Sequence, residues 1–179
     1  LSGVQVHMTN TSNLPVEALE REYPILVERY ELIRDSGGPG RYRGGLGIRR
    51  DFRILHDGLS FTGLGDRHKF APWGIEGGKS GAPGSFWVER QNEPRRKLKS
   101  KVSGVVLNRE DLVSIHSPGA GGYGDPYLRP EELVLRDVRE GKVSAESAKH
   151  DYGVVLVRKD GDYAIDHDAT RVCRTAARP

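Results

Sequence analysis

The sequence predicts a β-rich α+β domain, built mainly on antiparallel sheet, with short helices of which several lie near the C-terminus. Three observations carry that expectation. Short runs in which apolar and polar residues alternate recur through the first two thirds of the chain, as half-buried strands require. The 23 glycines and 10 prolines among 179 residues supply turns between them. Beyond residue 130 the apolar spacing shifts to the three-to-four-residue period of helices. Strands followed by helices is the order of an α+β fold.

Taken in order, Val4, Gln5 and Val6 alternate as in a strand already in progress. Pro15 suits a first helical turn, and Glu17 and Glu20 sit near its positive end, so a short helix is predicted over 15–22. Pro24 stops it, and residues 26–32 alternate as a half-buried strand. A glycine-rich connection fills 36–47. Strands at 49–55 and 59–64, joined by the turn His56-Asp57-Gly58, are expected to be antiparallel neighbours. The loop over 65–84 is too long for a plain connection, so it packs on itself or serves a site, and Trp73 favours packing. Phe86 and Val88 share one face of a strand over 84–90. Strands at 102–107 and 112–115 bracket a turn at 108–111. Val134, Leu135 and Val138 form the apolar stripe of a helix opened by Pro130, Glu131 and Glu132 and ended by Gly141. Ser144 caps a second helix to about Lys149, residues 152–157 and 163–165 form a hairpin about Lys159-Asp160-Gly161, and Asp166 or Asp168 caps a terminal helix.

The bulk numbers exclude several classes. With 36% apolar and 30% charged residues the chain is long enough for one domain, 1–179, with a real core. No apolar run approaches the roughly 20 residues of a membrane span, and no signal-peptide layout opens the chain, so a cytoplasmic protein is expected. Cys173 is the single cysteine, which excludes an intrachain disulfide and a cysteine-cluster metal site. The net charge of +3 reflects Arg90, Arg95, Arg96, Lys97, Lys99 and Lys101, read as an exposed connection. No aromatic residue is interleaved there for base stacking, which argues against nucleic acid. The six histidines lack the His-x-x-x-His spacing of a zinc helix, and no serine or cysteine stands in a nucleophile elbow.

The densest turn chemistry is at 117–126, Ser-Pro-Gly-Ala-Gly-Gly-Tyr-Gly-Asp-Pro. Gly121, Gly122 and Gly124 permit positive φ or close approach, and Tyr123 and Asp125 add polar groups, so the loop reads as a structural turn or a ligand site. No Lys-Ser or Lys-Thr follows, which removes the phosphate-loop reading. Arg41 and Arg43 stand in a second glycine stretch that reads either as an anion loop or as a sharp connection whose arginines pair with carboxylates. Asp66 and Arg67 could hold a planar carbonyl or amide, or brace the long loop. His7 could orient a carbonyl or relay a proton, or be bonded within a turn.

Gly121-Gly122-Tyr123-Gly124-Asp125-Pro126 resembles the C-terminal motif of the hydantoinase B family. That family includes B subunits or regions of N-methylhydantoinases, 5-oxoprolinases and acetone or acetophenone carboxylases. Three further stretches resemble it in the same order: His7-Met8-Thr9-Asn10-Thr11, the run from Asp35-Ser36-Gly37-Gly38 through Arg41-Tyr42-Arg43-Gly44-Gly45, and Asp66-Arg67 leading to Pro72-Trp73-Gly74 and Gly77-Gly78-Lys79. The resemblance implies the C-terminal portion of a larger B-like subunit, part of an ATP-dependent hydrolase that opens a cyclic amide. The alternatives are a ketone carboxylase or a non-catalytic assembly module. It implies partners, namely an A-like subunit and the N-terminal portion of the B subunit, and oligomer formation. ATP and a divalent metal are expected in the full complex and not on this chain. Among its own residues, His7, Asp66 and Arg67 are the catalytic candidates, and Asn10, Arg41, Arg43, Gly121, Gly122, Tyr123, Gly124 and Asp125 the loop candidates.

Overall fold

Seven strands and one helix come from the first two thirds of the chain in a computed structural model that describes Ser2, residues 14–159 and residues 161–176. Helix α1, Val16–Glu22, starts behind Pro15, and its last turn passes through Tyr23 into strand β1, Ile25–Leu32. Strands β2 (Ile48–Ile54), β3 (Leu59–Leu64), β4 (Ser85–Glu89), β5 (Arg96–Leu98), β6 (Lys101–Leu107) and β7 (Leu112–His116) follow. One antiparallel sheet has the order β1-β2-β7-β4-β5, and β3 pairs with β6 in a separate two-stranded ribbon. The α+β, β-rich class is as predicted. Alternation then decides the faces: Ile54, Phe86, Val88, Leu98 and Val113 bury on one side of the sheet, where Leu59, Phe61, Val102 and Val105 of the ribbon pack on them. The rings of Phe61 and Phe86 meet edge to face at 5.7 Å.

The expected β2–β3 hairpin does not form. Both edges of β2 are taken, by β1 and by β7, so the chain leaves the sheet after Ile54 and re-enters as the ribbon. Hydrophobic burial explains the choice, since Leu59 and Phe61 cover an apolar face that a sixth strand in the same sheet would have left bare. The basic connection also needs correcting in part. Residues 96–98 pair with β4, and Leu98 enters the core while its charged neighbours stay outside.

The chain divides into two units. The first holds the described residues up to Leu32, with Gly47–Phe70 and Pro83–Pro118. The second holds Ile33–Leu46, Ala71–Ala82 and the described residues from Gly119 onward. After a 3₁₀ turn at Pro126–Leu128, the second unit contains helices α2 (Glu131–Arg139), α3 (Ala145–Tyr152) and α4 (His167–Ala176) and the hairpin β8 (Leu156–Lys159) and β9 (Asp162–Ile165). Val134, Val138, Val143, Ala148, Tyr152 and Val154 form its core. Ser144 Oγ accepts from Ser147 N–H at 3.0 Å and Asp166 Oδ1 from Ala169 N–H at 3.0 Å, the two expected caps. The strand expected from residue 152 begins at Leu156, because α3 carries Tyr152 into the core and ends at Gly153 in the left-handed conformation, φ 64°.

Glycine builds the rest of the second unit. A Cβ on Gly119 would lie 1.8 Å from the Ser36 carbonyl oxygen, and one on Gly121 1.8 Å from that of Trp73, so main chains touch where side chains normally would. Trp73 itself is 62% exposed, so the long loop packs through its glycines and not through the indole as expected. Gly121→Ala is predicted to cost about 3 kcal/mol or more, as overpacking against backbone. Gly58→Ala, at φ 78° with no described residue within 4 Å of the new methyl, should cost about 1–2 kcal/mol. Paired denaturant melts, with the second unit followed by hydrogen exchange, check the ranking.

Candidate functional site

Three glycine-rich segments, 36–46, 71–82 and 119–124, are bonded to one another through their backbones. Gly38 N–H donates to Ala120 O at 2.8 Å, Gly119 to Ala82 O at 3.0 Å, Ala120 to Gly45 O at 2.8 Å and Gly122 to Lys79 O at 2.9 Å. Tyr42 and Tyr123 exchange both bonds at 3.0 Å, and Gly124 N–H donates to Ile75 O at 2.9 Å. An anion cradle needs amides that point at the ligand. Here the amides of 119, 120, 122, 123 and 124 all serve the protein, so this assembly does not fit a nucleotide phosphate. Gly124 alone of the three loop candidates has positive φ, 73°, while Gly121 and Gly122 are required by close approach. Side chains are turned outward instead: Tyr42, Trp73, Ile75 and Tyr123 are all more than half exposed, the two tyrosine rings lie 6.1 Å apart, and the Arg41 guanidinium is 5.8 Å from the Tyr42 ring.

Arg43 and Asp125 have structural partners. Arg43 Nε lies 3.1 Å from Asp137 Oδ2, and the same oxygen accepts from Arg129 Nη2 at 2.8 Å. Two guanidiniums on one buried carboxylate form a brace of the kind anticipated for the second glycine stretch. Arg129 Nη1 also donates to Arg41 O at 3.1 Å, which ties the brace to that stretch. Arg129 Nε and the Tyr152 hydroxyl are buried with no hydrogen-bond partner among the described residues, and burial holds the Tyr152 hydroxyl well above its ordinary pKa. Asp125 Oδ1 accepts from Tyr127 N–H at 2.8 Å and caps the 3₁₀ turn.

Asp66 and Arg67 belong to the first unit, where they line a cleft of about 540 Å³ with His68, Lys69, Phe70, Ser100 and Lys101. Arg67 adopts φ 58°, and its carbonyl accepts from Gly84 N–H at 3.1 Å. That turn carries His68 inward, where its ring meets Phe86 edge to face at 4.5 Å. Cβ atoms on Gly65 and Gly84 would lie 2.3 and 2.6 Å from the His68 ring, so these glycines make its room. Burial, and then Lys97, lower the His68 pKa, which favours the neutral imidazole. The basic residues of this lining can meet a carboxylate or an amide oxygen, and Asp66 an N–H. His7 and Asn10 lie outside the described residues.

A further polar group sits on the other face of the five-stranded sheet. Asp51 is 1% exposed, and its Oδ1 accepts from Ser114 Oγ at 2.5 Å. Among the described residues its Oδ2 has no regular hydrogen bond, but it lies 2.6 Å from Arg49 Nη2 and 3.5 Å from Arg29 Nε. Burial pushes the Asp51 carboxyl up, yet Arg49 and Ser114 outweigh it, and the group ends below its ordinary value. Ser114 Oγ is also 2.9 Å from His116 Nε2. A hydroxyl has one proton, and here Asp51 receives it, so His116 must be the Nε2–H tautomer that donates to Ser114. This is not a nucleophilic triad: the imidazole cannot accept the serine proton, and Ser114 is wholly buried. The sequence does contain the signal for this group, because Arg49/Asp51 and Ser114/His116 are each two apart in a strand and so share a face.

A family model described as hydantoinase B/oxoprolinase matches residues 1–126, more than two thirds of the chain. The chain belongs to this family. It is 36% identical over 176 residues to the D-/L-hydantoinase B subunit of Pseudomonas sp. (strain NS671), a match that covers 97% of this chain and 29% of that protein. The crystal structure of ATP-dependent caprolactamase from Pseudomonas jessenii superposes with a TM-score of 0.74 at 33% identity, covering 90% of this chain and 28% of that one. Nucleotide-free acetone carboxylase gives a TM-score of 0.79 at 23% identity over 90% of this chain and 26% of its own, a likeness of fold. This family member therefore spans less than a third of the length of these proteins.

The two half-buried histidines, His68 and His116, make a pH prediction. Burial, then Arg49 and Arg95, lower the His116 pKa, as burial and Lys97 do for His68. A depressed folded pKa means stability that is complete above the unfolded value, about 6.5, and is lost as pH falls through the folded one. His68→Gln and His116→Gln should each flatten the decline in stability below about pH 6.5, as read by urea midpoints across pH 4.5–8.

Proposed function

We propose that this chain is the C-terminal portion of the B-type subunit of an ATP-dependent enzyme that opens a cyclic amide. The observation that carries the reading is the 36% identity with a hydantoinase B subunit along nearly the whole chain. The caprolactamase likeness at 33% supports the same substrate class, a ring amide. The ketone-carboxylase alternative has fold likeness alone behind it.

In this reading the chain contributes scaffold and substrate surface. Among the described residues no three His, Cys, Asp or Glu side chains are gathered to hold a metal, and the glycine assembly does not fit ATP. Nucleotide and divalent ion belong, in this reading, to the A-like subunit and to the rest of the B subunit. ATP would supply the activation that makes an unstrained amide bond hydrolysable. What this chain can do is orient: the Asp66–Arg67 cleft offers a cation and a carboxylate to the two ends of an amide or to a carboxylate substituent.

The test is reconstitution. The purified chain with ATP, magnesium and hydantoin, N-methylhydantoin or 5-oxoproline should show no turnover, and mixing it with an A-like subunit and the remaining B portion should restore ring opening. Asp66→Asn should lower kcat/KM of that assembly about tenfold or more. Turnover by the chain alone, or an assembled enzyme indifferent to Asp66, would remove the proposal.

A further inference from the structure

The two layers of the first unit are unequal. Five strands form one layer and two the other, so β3–β6 covers part of the apolar face and leaves an open apolar cleft of about 340 Å³ beside it. Leu59 and Phe61 of β3 form one wall, Ile25, Phe52 and Ile54 of β1 and β2 the floor, and Leu19 of α1 the far end. Arg50 and Ser60 are the polar groups at its margin. Among the described residues the only ladder that β3 makes is with β6, and no described backbone group pairs with its other edge along the cleft. A two-stranded ribbon is the least stable kind of sheet, and this one stands next to the space a third strand would fill.

We infer that the outer edge of β3 and the adjoining cleft accept an extended segment from the rest of the longer B-type subunit, which adds as a third ribbon strand. This rests on the reading of the chain as part of such a subunit, whose matched relatives are more than three times as long. A strand at the sheet spacing of about 4.8 Å from β3 lies over β1 and β2, so one row of its side chains enters the cleft. Its recognition is therefore backbone pairing plus alternate apolar side chains, the strand-addition mode. Arg50 Nη2 is held by the Tyr30 hydroxyl at 3.1 Å and stacks on that ring at 4.5 Å, which fixes a cation at the margin. An acidic residue in the outward row of the added strand suits it. A short apolar molecule could fill the volume but would leave the β3 backbone unpaired, which favours a polypeptide occupant.

The probe is the portion of the Pseudomonas sp. hydantoinase B subunit that lies outside its match to this chain, produced separately. Mixed with the purified chain, it should slow amide exchange across 59–64 at least tenfold and displace the apolar dye anilinonaphthalene sulfonate from the cleft. Ser60→Arg and Leu19→Asp, at the margin and on a helix without buried residues, should each weaken association at least tenfold while leaving the melting curve of the chain alone in place. Failure to associate, association with unchanged exchange at 59–64, or protection by self-association of the chain alone overturns the inference. Ring-opening activity of the same mixture with an A-like subunit is scored separately. Protected β3 without turnover counts against the function alone, and turnover without β3 protection counts against the strand.

Discussion

The glycine-rich half of the second unit depends on main chains approaching main chains without intervening side chains. Ordinary loops are held by side-chain packing, but three loops here are held by backbone hydrogen bonds at 2.7–3.0 Å between glycine-rich stretches far apart in sequence. Hydrogen bonds of this kind each contribute about 1 kcal/mol net. Their larger effect is on geometry, because every bond fixes two loops at once. The cost is conformational entropy, which is highest for glycine. The Arg43–Asp137–Arg129 brace and the helical core beside it offset part of that cost with buried contacts.

How far the sequence revealed this differs between the units. Period-two alternation located β1 to β4, β6 and β7 to within a residue or two, because β2 to β4, β6 and β7 each turn one face to the core and β1 adds Ile25 to it. It did not reveal partners, since pairing depends on which edges are already occupied, and β2 had none left for β3. The glycine motifs marked the second unit correctly as shaped and not as a linker. Of the two uses such glycines permit, positive φ holds at Gly124 and close approach at Gly119 and Gly121, which answer to carbonyl groups from other segments. Long-range approach of that sort leaves no local periodicity.

The candidate residues sort by the same logic. Arg43 and Asp125 carried the polarity that suggests a site, and the structure gives both to internal bonds. Asp66 and Arg67 remain at a cleft, lined also by His68, for whose ring two glycines make room. The buried Asp51–Ser114–His116 group shows why residue types alone mislead. The three side chains of a hydrolase triad are present, but the hydroxyl lies between the carboxylate and the imidazole, so its proton goes the wrong way for nucleophilic attack.

The register shift between Val27 and Arg29 has a consequence for how the sheet meets other chains. One extra residue there moves Tyr30 and Leu32 onto the face of Val27 and sets Arg29 opposite Asp51. A bulged, strongly twisted border strand with charged side chains is a poor template for another strand. β1 is thereby guarded against indiscriminate pairing; the ribbon ladder also shifts register, between Phe61 and Gly63, but there the extra residue is on β6, which leaves β3 as the receptive border. The same irregularity that spoils the periodicity of one strand directs assembly to another.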